Sequence, residues 1–435
     1  MTNIVSGSGA LFFQTKKEIV AHVLKNVLAN HNRMLGTEWE MFFVDGKGKA
    51  ITRAAGQKAF TEFNRVFIQQ GYGAVYTHEQ AVNGRRTITG LDINGLGLIT
   101  PEMGHQWEFS CSTSSNPGEI RGKNQAFFLA AHEVAKRLNY VPLFQGHVPG
   151  YSASTEGSYR SRSVQWRKYY DRRFGIKADF VREGLEATAS TQVTIDSGAE
   201  NFHEFFRALL LIEPAFTLHY ANSDRPHIGM HRLPGAYMNP VIDVWNAHDT
   251  QEALEVIVDR LMKVEVPFLP DTEHPSLYKA EILSSNRSPT IQDLMQLGRL
   301  NEEALNNASG FFLARPAFRK PSLGLIEMRG VDSQPTPDKV AEVAARVASL
   351  VYDDTARRRR LADYAHLQTK HIKTLHEAAA SPMAERHKAL NSEVAGMKIA
   401  AFVQDIIARS TPEAPAPRHE QADMPTRQAG VASPG

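Results

Sequence analysis

The stretch "GTEWEMFFVD", residues 36–45, limits the fold more than any other part of the chain. In an extended strand, successive side chains point to opposite faces. Glu38 and Glu40 then share one face, and Trp39, Met41 and Phe43 fill the other. Two like charges side by side repel, so the front of this strand must be wet or must face a cation. The apolar back requires a packed core behind it.

Three further stretches have the same habit. "PEMGHQWEFSC" puts Gln106 and Glu108 on one face, with Trp107 and Phe109 behind and Glu102 six residues before Glu108. "STQVTID" puts Gln192, Thr194 and Asp196 in front of Val193 and Ile195. "LIEMRG" puts Glu327 and Arg329 in front of Ile326 and Met328. An antiparallel sheet with one solvated face explains any one of these strands. Solvated faces, however, usually mix in Lys, Ser and Thr, and these strands collect carboxylates. If they share a sheet, Glu38, Glu40, Glu102, Glu108 and Glu327 converge. Such a cluster either raises its pKa values or binds hard cations. Oxygen donors without cysteine favour Mg²⁺ or Mn²⁺.

Elsewhere, helices are signalled by their caps. In "NPGEIRGKNQAFFLAAHEVAKRL", Asn116 caps, Pro117 takes the first helical position, and Phe127, Ala130, Ala131, Val134 and Leu138 form a stripe. "TPDKVAEVAARVASLVY" repeats the pattern from Thr336 and Pro337. "NFHEFFRALLLI" reads as a helix stopped near Pro214. Further helices are expected near 15–30, 250–263 and 290–298, and onward to about 408. The rest of residues 1–115 reads as strands. Strands and helices mix without regular alternation, so the fold class expected is α+β. Length alone suggests two or three domains, and residues 1–410 carry the strand and helix signals. The Pro-, Ala- and Gly-rich stretch 411–435 reads as a disordered tail.

A formal charge of +2 over 435 residues offers nothing for nucleic acid or a membrane surface. "SYRSRSVQWRKYYDRR" interleaves bases with aromatics, but it stands alone in a near-neutral chain. "RRRR" at 357–360 reads as a solvated helix end. With Cys111 the only cysteine, no internal disulfide can form, which fits a reducing cytoplasm. Cys111 falls on the apolar side of its strand, as an inert thiol. No signal peptide or membrane-spanning run is visible.

Six motifs, in order over roughly residues 35–335, resemble those of glutamate–cysteine ligase family 2. "GTEWEMFFVD" resembles the family's opening Gly-x-Glu-x-Glu strand. "EMGHQWEFS" is similar to its Glu-Pro-Gly-Gly-Gln-Phe-Glu-Leu-Ser element. "SRSVQWRKYY" resembles the Arg-Tyr…Tyr-Met segment, and "TASTQVTID" the Thr-x-x-x-Gln-Val-x-x-Asp strand. "YANSDRPHIGMHR" resembles the Ala-Asn-Ser…Arg loop, and "LIEMRGVDSQP" the Glu-Val-Arg…Asp element. Met103-Gly104-His105 stands where the family has Pro-Gly-Gly, Ser163 follows the motif arginine in place of Tyr, and Asp224-Arg225 replaces Pro-Phe. These departures spare the carboxylates and leave the amino-acid substrates open.

The resemblance implies a glutamine-synthetase-like antiparallel sheet that forms an active-site funnel flanked by helices. It also implies ATP and Mg²⁺ (or Mn²⁺), and amide formation through an acyl phosphate. By motif match, Glu38, Glu40, Glu102, Glu108 and Glu327 would hold metal, and Gln192 would add an amide oxygen to the metal–nucleotide shell. Arg329 and Arg232 would stabilise the moving phosphoryl group. Arg162 and Gln106 would hold a substrate carboxylate or phosphate. The partners expected are small amino-acid substrates, in a monomer or homodimer. Within this chemistry, γ-glutamylcysteine formation is the best single reading. Another γ-glutamyl amide or dipeptide is the nearest rival, and a non-catalytic nucleotide- or amino-acid-binding relative is the rival of another class.

Overall fold

The strand that opened the sequence analysis is the centre of the sheet. In the computed structural model, β1 (Leu35–Val44) is paired antiparallel to three other strands. The model describes residues 11–27, 33–80, 86–102, 106–148, 161–175, 184, 186–198, 201–223, 241–270, 278–283, 287–318 and 325–410.

The remaining strands of the sheet are β2 (Ala74–Gln80), β3 (Arg86–Ile93), β4 (Gly97–Pro101), β5 (Gln106–Cys111), β6 (Val141–Leu143), β7 (Thr191–Asp196), β10 (Ala314–Pro316) and β11 (Leu325–Met328). Their order is β10-β11-β7-β1-β5-β4-β3-β2, with β6 also paired to β1, and each ladder is antiparallel. Two short strands, β8 (Phe268–Pro270) and β9 (Tyr278–Ala280), pair separately. The fold class is α+β. Among the described residues no helix is long and apolar enough to cross a membrane.

The apolar faces of the four motif strands form the core. Trp39, Met41, Phe43, Trp107, Phe109, Val193, Ile195, Ile326 and Met328 are all buried. Helix α2 (Arg53–Gln69) and helix α3 (Pro117–Leu138) cover this side. Phe109 stacks on Phe127 at 4.7 Å, and Trp107 packs against Phe43, Phe60 and Phe63. Trp39 still satisfies its indole, donating Nε1–H to the Gln334 carbonyl at 3.0 Å. Cys111 is buried on this face and opposite the acids, as read from the sequence.

Caps behave as their residues require. Asn116 accepts from the Gly118 N–H, and Thr336 accepts from Lys339 at the start of the helix Pro337–Val351. Three readings are corrected. Residues 53–69, read with the strands, form α2, which Thr52 caps and Ala59, Phe60, Phe63, Val66 and Phe67 anchor. The helix read as stopping near Pro214, α5, runs through it from Phe202 to His219. Proline has no N–H to give the Leu210 carbonyl four residues back. His376 Nε2 lies 3.0 Å from that oxygen and replaces the lost donor. The Arg357–Arg360 run is not a solvated helix end, because helical spacing turns Arg357 and Arg360 inward. Arg357 is fully buried, grips Glu204 through Nε and Nη2 at 2.9 and 2.7 Å, and lies over the Phe205 ring. Helix α4 (Ser161–Phe174) buries Tyr169 and Tyr170, and its Arg167 forks onto Glu186 at 2.5 and 2.6 Å, so its aromatics pack inward. The expectation for the tail falls on residues outside those described.

Candidate functional site

The acid face is assembled by register. Glu40 lies opposite Glu108 on β5, and Glu38 lies between Ser110 on β5 and Gln192 on β7. On the far side of β7, Thr194 pairs with Glu327, which pairs in turn with Arg315 on β10. Period-two side-chain direction puts all of these on one side of the sheet. The face also has a small apolar floor, in which Phe42 and Val44 pack with Val148, Ala187 and Ala189.

Like charges directly across an antiparallel pair destabilise it. Around Glu40 the protein answers with donors. The Ser190 N–H and hydroxyl reach Glu40 Oε2 at 2.6 and 2.7 Å, and Gln192 Nε2 reaches Oε1 at 3.1 Å. Glu38 is half-buried. Burial, then Glu327 and Glu40, push its carboxyl up to about 8 against the pull of Arg315 and Arg329. Glu108 is held well above the usual carboxylate range by burial first, then by Glu38, Glu102 and Glu40, and only the Ser110 hydroxyl at 2.9 Å opposes this. Glu102 joins from the turn after β4, where its N–H bonds the Gln106 carbonyl and the Thr100 hydroxyl reaches its side chain at 3.3 Å.

Guanidiniums occupy the other end. Arg329 Nε is 2.7 Å from Glu327 Oε1 and donates to Gln192 Oε1 at 3.1 Å, while Nη1 donates to the Gly310 carbonyl at 3.0 Å. Arg315 Nη1 donates to Glu327 Oε2 at 3.3 Å. Burial depresses the Arg315 pKa, Glu327 opposes this, and repulsion from Arg329 and Arg162 depresses it further. Arg162 Nε is buried and has no hydrogen-bond partner among the described residues.

The structure therefore sets Glu38, Glu40, Glu102, Glu108 and Glu327 on one face of the sheet with Gln192 and Arg329, and Arg162 lies near enough to Arg315 to repel it. Gln106 is buried, and its amide is tied to the Thr188 carbonyl. Arg232 and Met103-Gly104-His105 lie outside the described residues. Sequence reasoning missed Ser190 and Arg315. A lone Arg within the apolar run "FFLARPAF" was the signal for Arg315. The all-oxygen donor set has the chemistry that Mg²⁺ or Mn²⁺ prefers. Among the described residues, no three His, Cys, Asp or Glu side chains converge closely enough to form a metal site.

No protein-family model and no curated protein sequence matches the chain. Among solved structures the chain is similar to apo GmaS without ligand, with a TM-score of 0.32 and 10% identity over 92% of this chain and 70% of that chain. A likeness this slight leaves the family open.

Proposed function

We propose that the chain is an ATP-dependent carboxylate–amine ligase whose site is the acid face of the sheet. The observation that supports this reading is that three strands and a turn set five carboxylates on one face of the sheet, beside Gln192 of β7, Arg315 of β10 and Arg329 just past β11. A purely structural surface would not collect acids that raise one another's pKa values.

ATP is a substrate of this reaction. A carboxylate oxygen of the first substrate attacks the γ-phosphorus, and ADP leaves. The amine of the second substrate attacks the carbonyl carbon of the acyl phosphate, loses a proton, and displaces phosphate. Glu38, Glu40, Glu102, Glu108 and Glu327 would hold Mg²⁺ or Mn²⁺, which when bound screens the negative charge of the phosphates. Arg329 presents a planar fork whose orientation Glu327, Gln192 and the Gly310 carbonyl fix, suited to oxygens of the moving phosphoryl group. Arg162, whose Nε has no hydrogen-bond partner among the described residues, suits a substrate carboxylate. Arg232 takes its phosphoryl role from the motif resemblance alone. The sheet would be the wall of a glutamine-synthetase-like funnel. The favoured substrates are glutamate and L-cysteine, giving γ-glutamylcysteine, the dipeptide precursor of glutathione, in a reducing cytoplasm.

The test is incubation of the full-length protein with Mg-ATP and pooled amino acids and amines. Mass spectrometry then looks for pairs joined with loss of water, with phosphate and pyrophosphate assayed in parallel. ADP, phosphate and a condensed pair are expected. Stoichiometric pyrophosphate, or Mg-ATP binding without turnover on any pair, would overturn the reading.

A further inference from the structure

Glu213 is an acid in an otherwise apolar stretch of α5, residues 208–216. Its neighbours Leu209, Leu210, Leu211, Ile212, Ala215 and Phe216 are all buried, and so is Glu213. A carboxyl in such a place is costly unless it is hydrogen-bonded. Its Oε1 accepts two backbone N–H groups, from Arg329 and Gly330, each at 2.9 Å. Its Oε2 is buried and has no hydrogen bond among the described residues.

Those two N–H groups lie just past the end of β11, where the ladder stops at Met328. A strand end that leaves its donors buried must satisfy them elsewhere. Glu213 does so from behind, and the Arg329 side chain leaves toward the acid face. The approach is close. A Cβ on Gly330 would come within 2.7 Å of Thr217 Oγ1 and 3.2 Å of Glu213 Cγ. Thr217 Oγ1 also lies 2.8 Å from both the Glu213 and Gly330 carbonyl oxygens.

We propose that Glu213 is a positioning residue. It fixes the backbone at Arg329–Gly330, and so the direction from which the Arg329 guanidinium reaches Glu327, Gln192 and the Gly310 carbonyl. The catalytic half of this inference rests on the ligase reading above, and the structural half does not. Burial raises the Glu213 carboxyl to about 8 against the pull of the two N–H groups and Arg329. A glutamine has no charge and keeps the same acceptor, so it is the conservative replacement.

The experiment compares Glu213→Gln, Glu213→Leu and Gly330→Ala in the full-length chain. One measurement is hydrogen exchange of peptides spanning residues 325–334. The other is kcat and KM for ATP-dependent ligation. Glu213→Leu should speed exchange in that segment about tenfold or more, since it frees two protected amides. It should lower kcat by about 10²-fold, the scale of a misplaced catalytic group, with KM for ATP within about threefold. Glu213→Gln should stay within about threefold of wild type in both, because the acceptor is kept. Gly330→Ala should reproduce the Leu phenotype, and it carries the test if Glu213→Leu loses its far-UV circular dichroism. Wild-type exchange across 325–334 in Glu213→Leu, or undiminished kcat in Gly330→Ala, would overturn the inference. So would a Gln variant as impaired as the Leu variant. A wild-type protein with no ligase activity would sink the ligase reading and leave the exchange result to judge the positioning.

Discussion

Replacing His376 with Leu should destabilise the protein at pH 8 and matter far less at pH 4.5. The change fills much of the ring's volume but removes the donor that answers the Leu210 carbonyl at 3.0 Å. A buried carbonyl left without a partner costs about 1–3 kcal/mol. The pH term has the opposite sign. Burial lowers the His376 pKa from 6.5 to about 4, while the Leu210 bond opposes the shift. Between those values the unfolded chain binds the proton and the folded chain does not. Wild-type stability is therefore intact above about 6.5 and falls as pH drops toward 4. At pH 4.5 the loss from this one group is about 2–3 kcal/mol. The Leu variant has no such loss, and the other titrating groups are common to both proteins. The two urea midpoints should therefore approach each other at pH 4.5 or exchange order. Pro214→Ala supplies a second arm, since it restores an N–H to the same carbonyl. In that background His376→Leu should cost less, with a coupling of about 1 kcal/mol or more in the double-mutant cycle. Equal costs in both backgrounds, or an unchanged midpoint difference between pH 8 and 4.5, would refute the pairing of His376 with the carbonyl that Pro214 leaves open.

Arg329→Lys keeps the charge but loses the fork that bonds Gln192 and Gly310, so turnover should fall by about 10²-fold. Initial rates at rising Mg²⁺ should show no recovery. Glu327→Gln should slow ligation and recover part of the rate at high Mg²⁺ or Mn²⁺; near-normal turnover of both variants at low metal would remove β11 from the active site. Cys111→Ser should retain activity within about threefold, because the thiol lies on the opposite side of the sheet from Glu108 and burial raises its pKa. Loss of turnover together with a trapped covalent adduct would reverse that. A stop codon after Ser410 should leave activity and melting temperature unchanged, whereas one before Ser410 should lower the melting temperature, since Ser410 is buried and its hydroxyl accepts from Arg346 at 3.1 Å.

The front of the sheet was legible because period-two alternation survives in β1, β5, β7 and β11 whatever they pair with. Each strand declared its own faces, and Glu38, Glu40, Glu108 and Glu327 followed. The order of the strands was not declared, because register between β7 and β11 is a contact between residues more than a hundred positions apart. Helix α2 was missed although Thr52 and the Phe60–Phe63–Phe67 stripe are ordinary helix signals, because Gly-rich turns on both sides suggested strands. Pro214 was misread for a different reason. Its helix survives on a donor from His376, 166 positions from the Leu210 carbonyl it serves, and no local pattern carries that information. Glu213 and Ser190 belong to the same class, since their partners, the Arg329 and Gly330 backbone for one and the Glu40 carboxylate for the other, lie on distant segments.

The strand order also sets a timetable for the nascent chain. β1 leaves the ribosome early, and β5 and its covering helices α2 and α3 follow within about a hundred residues. On the opposite edge of β1, β6 covers the Phe42–Val44 end early, but the Leu35–Trp39 end must wait for β7, about 150 residues after β1. At about 5–20 residues per second that is roughly 7–30 s in which the Leu35–Trp39 end of the central strand has no neighbour on that side. An unpaired strand edge is a template for pairing with other chains. During that interval Glu38 and Glu40 face their own kind on every other nascent copy, so the acids that crowd the finished site also act as gatekeepers against aggregation before the site exists.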